Sequence, residues 1–120
     1  MDLYSKDFVV GASHTAKIAG SGDLDVLATP VMLAMVENTA KEFLGKELAD
    51  EETSVGTTIA AKHLKPSKIG AEITVKVKWE TQAKNKIDFS FEVYDGSVLV
   101  ATGTHQRAVV LTDVFMSKLV

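Results

Sequence analysis

The sequence predicts an α+β domain in which a five-stranded antiparallel sheet wraps around one long central helix. Three features of the chain lead there. The stretch from Ala28 to Ala40 is apolar on nearly every side and reads as a buried helix. From residue 53 onward the pattern changes to period two and holds through four consecutive segments. One short strand-like segment precedes the helix.

Residues 5–10 form the first strand, followed by a loop from Gly11 to Asp25 whose most flexible part is Gly20-Ser21-Gly22-Asp23. Thr29 as N-cap and Pro30 at the first helical position start the helix. It runs to about Leu44 and stops near Gly45, a C-terminal cap. Glu47 to Glu52 is an acidic, solvated connector. Residues 53–65 form the second strand and Pro66 to Gly70 a turn. In 71–83, Ile73, Val75, Val77 and Trp79 share one face, and Ile87, Phe89, Phe91 and Val93 repeat the alternation. Asp95-Gly96 marks a hairpin leading into a last strand of about 97–111. A sheet with one water-facing side buries its other face against the helix.

At 120 residues the chain is one domain, residues 1–120, long enough to bury roughly two-thirds of its unfolded surface. Its net charge of −3 gives no reason to expect nucleic acid or an anionic membrane as partner. The absence of cysteine excludes disulfides, thiolate metal sites and a cysteine nucleophile. No secretory apolar stretch follows Met1, and Asp2 and Asp7 argue against a transit peptide, so the cytoplasm is expected. Three scattered histidines offer no metal-ligand spacing, and there is no glycine-rich phosphate loop.

Thr29, Glu37 and His63 are the candidate catalytic residues. A carboxylate at Glu37, surrounded by hydrocarbon, needs a partner or a job as base or nucleophile. Thr29 stands at a helix N-terminus, where free N–H groups and the dipole favour a developing oxyanion. His63 shares strand parity with Val55, Thr57, Ile59 and Ala61, which places it on the helix-facing side with Glu37 as proton carrier or orienting partner. Gly56 can offer a second oxyanion donor where no side chain blocks a ligand. Arg107, the only arginine, suits a planar fork aimed at Glu37 or a substrate carbonyl. Each also has an ordinary reading: a helix cap, a hydrogen-bonded carboxylate, a core histidine, a surface ion pair. His105, with the parity of Arg107, reads as structural, and His14 has no role. Lys62, Lys65 and Lys68 form a basic cluster suited to phosphates.

The motifs Ala28-Thr29-Pro30 with Met35-Val36-Glu37, Ser54-Val55-Gly56-Thr57 with His63, and Gly103-Thr104-His105-Gln106-Arg107-Ala108-Val109 resemble the fluoroacetyl-CoA thioesterase branch of the hotdog fold. The resemblance runs from about Asp7 to the C-terminus. It implies a homodimeric acyl-CoA thioesterase without cofactor. The family's catalytic threonine, glutamate and histidine match Thr29, Glu37 and His63, and its substrate-contacting glycine and arginine match Gly56 and Arg107. The family's lid is longer and phenylalanine-rich, whereas Lys17 to Leu27 is shorter and has no aromatic residue. The resemblance therefore carries the hydrolytic residues and leaves the acyl group open.

Eight residues separate Thr29 from Glu37, ~12 Å along a helix at ~1.5 Å per residue. That spacing predicts a composite site, with the helix start of one subunit facing Glu37 of the other in a two-fold dimer. Two other uses of the fold stay open: an enoyl-CoA hydratase, and a non-catalytic acyl-CoA or small-ligand binding module.

Overall fold

Alternating β-branched and aromatic residues build the sheet. In the computed structural model, which describes residues 2–119, the strands are β1 (Leu3–Val9), β2 (Glu52–His63), β3 (Glu72–Ala83), β4 (Lys86–Asp95) and β5 (Val98–Leu111). Residues 1 and 120, the ends of the domain expected over 1–120, lie outside the described residues. Every pairing is antiparallel, in the order β1-β3-β4-β5-β2. The five strands sit where the alternation places them, with small shifts at the ends.

The turns differ in detail. Asp95 pairs with Val98, so the hairpin turn is Gly96-Ser97, one residue later than expected. Gly96 has φ 58°, which suits the first position of a tight hairpin turn. In the β3–β4 hairpin Ala83 pairs with Lys86, and the turn residue Lys84 also has φ 58°. A left-handed conformation costs a side-chain-bearing residue roughly 1–2 kcal/mol. Lys84→Gly, after the entropy glycine loses on folding, is expected to raise the melting temperature by a few degrees; a lower Tm would contradict the strain.

Among the described residues, four helical pieces complete the fold. A 3₁₀ turn (Ala12–His14) and α1 (Ala16–Ala19) occupy the stretch expected as loop. Thr15 caps α1 by accepting the Ile18 N–H, and Gly20 at φ 78° ends it. These pieces are too short for a periodic signal in sequence. The central helix α2 spans Thr29–Gly45. Its N-cap is Ala28, not Thr29, and no side chain caps it. Thr29 is already helical, so its hydroxyl is free for other work. The helix ends at Gly45 as expected, but Lys46 is the C-cap and Gly45 has no left-handed geometry. A last helix, α3 (Thr112–Ser117), was not anticipated.

One stripe of α2 (Met32, Met35, Val36, Thr39, Ala40, Phe43 and Leu44) is buried against the inner face of the sheet. The Thr39 hydroxyl donates to the Met35 carbonyl, satisfying a buried polar group within the helix. Phe43 stacks on Tyr4 and meets Trp79 edge-on, anchoring the helix's C-terminal half. On edge strand β1, Lys6 reaches α2 and bonds Asn38 (2.7 Å) and Glu42. A charge directed at the helix from an edge strand also discourages sheet-to-sheet aggregation. Among the described residues no helix is long and apolar enough to cross a membrane.

Candidate active site

A break in register on β2 decides which side chains face the helix. Gly56 pairs with Arg107, but Thr58 pairs with Gln106, so Thr57 is an extra residue. Such a bulge reverses the alternation. Ser54 and Gly56 share the inward face with Arg107, and beyond the bulge Ile59, Ala61 and His63 take it, opposite His105, Gly103 and Ala101. The expected parity of His63 with Val55 and Thr57 is therefore wrong, although its orientation toward the helix is right. Thr57 bonds Gln106 across the exposed strand pair.

His63 meets the start of α2. Its Nδ1 lies 2.7 Å from Thr29 Oγ1, and its Nε2 is buried without a hydrogen-bond partner among the described residues. Burial pushes the imidazole pKa below the ordinary 6.5, so the ring is neutral at physiological pH. A buried N–H without a partner is rarer than an unmatched acceptor. This favours the tautomer in which Nδ1–H donates to Thr29, leaving Nε2 as a basic atom and the threonine hydroxyl hydrogen free. Met32 N–H is spent on the Ala28 carbonyl, whereas Val31 N–H takes no internal partner among the described residues. A cleft of about 270 Å³ opens here, lined by Thr29, His63, Ala16, Val26, Leu64 and Lys65 among others.

Glu37 lies elsewhere. Its side chain is 44% exposed in the single chain, not buried as its apolar neighbours suggested, because it falls at the margin of the stripe that α2 presents to the sheet. Nor does it adjoin His63. Its Oε2 faces Arg107 Nη1 (3.4 Å) and sits over Gly56, where a β-carbon would collide with it. Gly56 thus leaves room for the Glu37 carboxylate in this position, and a side chain there would displace it.

Arg107 is 6% exposed, and a buried guanidinium must have its donors matched. Its Nε donates to Ser54 Oγ (2.8 Å), one terminal nitrogen to the Ser54 carbonyl (3.1 Å), and Nη1 faces both Glu37 and His105 Nε2 (3.2 Å). Burial lowers its pKa and Glu37 opposes that; a guanidinium starts so high that it stays charged. The expected bond from Arg107 to Glu37 is present. Ser54 and His105 were not singled out for this role; the signal for His105 is its shared parity with Arg107 on β5, and for Ser54 the pairing of β2 with β5.

The five expected site residues thus form two groups: Thr29 with His63, and Glu37 with Gly56 and Arg107. Among the described residues no hydrogen bond joins the two groups. A recess of about 700 Å³ lies between Leu44, Leu48, Trp79 and Ile87 at the other end of α2 and contains none of the five. Among the described residues no cluster of metal-ligating side chains occurs.

The sequence pattern of the fluoroacetyl-CoA-specific thioesterase family matches residues 10–113. The chain belongs to that family. It is a thioester hydrolase acting on acyl-CoA, with the acyl group open. A relative, the fluoroacetyl-CoA thioesterase of Streptantibioticus cattleyicolor, is 27% identical over 94 residues, 78% of this chain and 68% of the relative. Solved structures share the fold. A fluoroacetyl-CoA-specific thioesterase mutant in complex with fluoroacetate and CoA superposes with a TM-score of 0.89, at 24% identity over 94% of this chain and 95% of that one. A hot-dog-like protein from Thermanaerovibrio acidaminovorans gives 0.88, at 25% identity over 97% and 86%. The hotdog architecture expected from the sequence is the one observed.

Proposed function

We propose that two copies of the chain assemble so that Thr29 and His63 of one subunit face Glu37, Gly56 and Arg107 of the other, and that this composite site hydrolyses an aliphatic acyl-CoA. The observation that carries the proposal is the division of the five residues into two groups, with Thr29 and Glu37 about two turns apart on α2. Strand β2 supports it: twelve residues long, it is a sheet edge, and Gly56 to Thr58 and Ala60 to Lys62 are exposed. A second copy is the partner that would satisfy such an edge.

In this reading the thioester carbonyl lies at the start of α2. It accepts from the Thr29 hydroxyl and the unspent Val31 N–H, and both strengthen as negative charge develops on oxygen. Glu37 acts as general base: it takes a proton from a water that attacks the carbonyl carbon, with Arg107 holding the carboxylate in place. The tetrahedral intermediate collapses with cleavage of the carbon–sulfur bond. The coenzyme A thiolate leaves and receives, by way of His63, the proton that Glu37 took from water; the free acid is released and Glu37 is again a carboxylate. No cofactor or metal enters. Lys65 beside the cleft, with Lys62 and Lys68, supplies charge for the coenzyme A phosphates.

The segment walling the cleft argues for the acyl class. Ala16, Ser21, Val26 and the buried Leu27 line it, and Ile18 and Leu24 of the same segment are exposed; all of its large apolar side chains are aliphatic. With no aromatic residue between Lys17 and Leu27, nothing there matches a phenylalanine-rich lid. The enzyme works in the cytoplasm, where acyl-CoA is abundant, and engages neither nucleic acid nor membrane.

Thiol release from a panel of short, medium, fluorinated and aromatic acyl-CoAs tests this. Turnover highest on aliphatic groups is expected, and a flat panel with retained acyl-CoA binding would move the assignment to a binding module. The pH profile adds a second check. Because His63 is depressed below 6.5, its neutral form persists to lower pH. Its contribution to kcat/KM should therefore be complete at neutral pH and disappear only as pH falls through a value below 6.5. That part of the acid limb should vanish in His63→Gln; a histidine limb above 6.5 would contradict the assignment.

A further inference from the structure

His105 lies between the strand backbone and the arginine of the proposed site. It is 2% exposed and stacks on Phe89, with ring centroids 6.3 Å apart. Its Nδ1 is 2.8 Å from the Thr58 carbonyl oxygen, which can only accept, so Nδ1 carries the hydrogen. That carbonyl belongs to the residue where the β2–β5 register slips. A neutral ring has one N–H, so Nε2 presents a bare lone pair. The atom facing it at 3.2 Å is Arg107 Nη1, which can only donate. Both hydrogen bonds therefore specify the same tautomer. A second proton would set an imidazolium N–H against a guanidinium in a buried site. Burial first, and the Arg107 charge after it, hold the His105 pKa below 6.5, outweighing the Thr58 carbonyl and Glu37. Glu37 Oε2 is 3.9 Å from Nε2, beyond hydrogen-bond range, and in this tautomer both atoms are acceptors.

We propose that His105 is a positioning residue: the Thr58 carbonyl locks it as the Nδ1–H tautomer, and its Nε2 lone pair anchors Arg107 Nη1 so that the guanidinium is held against Glu37. Ser54 fixes the other side of the fork through its hydroxyl and its carbonyl. Without His105, Nη1 keeps only the 3.4 Å contact with Glu37, and the arginine can turn about its Ser54 anchor. The two histidines then have separate tasks. His63, with a free Nε2, moves a proton. His105, with both nitrogens engaged, moves none and fixes a charge. This role rests on the reading of Glu37 as the base.

Two substitutions separate positioning from packing. The Gln amide places an acceptor near the position of Nε2, and the Asn amide places a donor near that of Nδ1. Both remove the ring from Phe89 and should cost similar stability. For a positioning residue, His105→Asn lowers kcat for thiol release about tenfold below His105→Gln, the scale of one hydrogen bond to a charged group, with KM changed little. Equal kcat values in the two variants would overturn the proposal. Nitrogen-15 NMR of the wild-type protein gives an arm independent of turnover and of the variants' folding. His105 should show a protonated Nδ1 and a bare Nε2, unchanged while His63 titrates. A protonated Nε2, or a charged His105 at neutral pH, would overturn the proposal even if catalysis is as described. If no thioester is cleaved, the reading of Glu37 fails instead. Hydrogen exchange at Arg107 then decides the positioning role: faster exchange in His105→Asn than in His105→Gln supports it, and equal rates refute it.

Discussion

Replacing Glu37 by Gln is expected to lower kcat for thiol release roughly 10²–10⁴-fold, the usual contribution of a positioned general base. The fold should survive. Glu37 is at the margin of the buried stripe, and the Gln amide oxygen can still accept from Arg107 Nη1, leaving no buried donor unmatched. The loss should fall on kcat, with KM for the acyl-CoA changed by only a few-fold, because the base acts in the transition state and does not hold coenzyme A. Steady-state thiol release, with a melting curve for each protein, measures both quantities. A variant that keeps wild-type kcat would remove Glu37 from the mechanism.

Gly103→Ala should have the largest effect on folding. Gly103 lies on β5 between Ala61 of β2 and Phe91 of β4. A β-carbon there would collide with the Ala60 carbonyl oxygen and fall 2.5 Å from Phe91 Cζ and 2.8 Å from Cε2. The carbonyl belongs to a strand backbone and the ring is buried, so neither can yield without shifting the sheet. Overpacking of this kind costs about 3 kcal/mol or more when the neighbours are rigid, which corresponds to a fall in Tm on the order of 10 °C for a chain of this size. Thermal unfolding of the variant tests it. An unchanged Tm would show that the strands can part at Gly103. Ala101, next on the same face, is buried opposite His63, so small residues here keep the sheet close to the helix start.

The two expectations differ in how readily the sequence yields them. The sheet was legible because its alternation is long: Ile73 to Trp79 and Ile87 to Val93 each hold their phase through four residues. The helix was legible from Pro30 and the apolar run. The site was legible only as a set of residues. One extra residue at Thr57 reverses the face of every position after it; Gly56 within the strand hints at a bulge, but nothing in Ser54-Val55-Gly56-Thr57-Thr58 fixes which residue is the extra one. The exposure of Glu37 could not be read from its neighbours, because a helix apolar in composition still presents only one stripe to a sheet. Ser54 matters only through its cross-strand contact with Arg107, which depends on register; His105 shares the strand and face of Arg107, and only its bond to the Thr58 carbonyl depends on register. The short pieces α1 and α3 have too few residues for a period to show.

Complementation between inactive subunits tests the composite site most directly. Thr29→Ala and Glu37→Gln proteins are each expected to be nearly inactive. Unfolded and refolded together in equal amounts, they would form mixed dimers in which one site lacks both residues and the other has both. With random pairing, about a quarter of wild-type activity should return. Two inactive proteins that stay inactive after demonstrated exchange of subunits would place Thr29 and Glu37 in one chain's site and contradict the account.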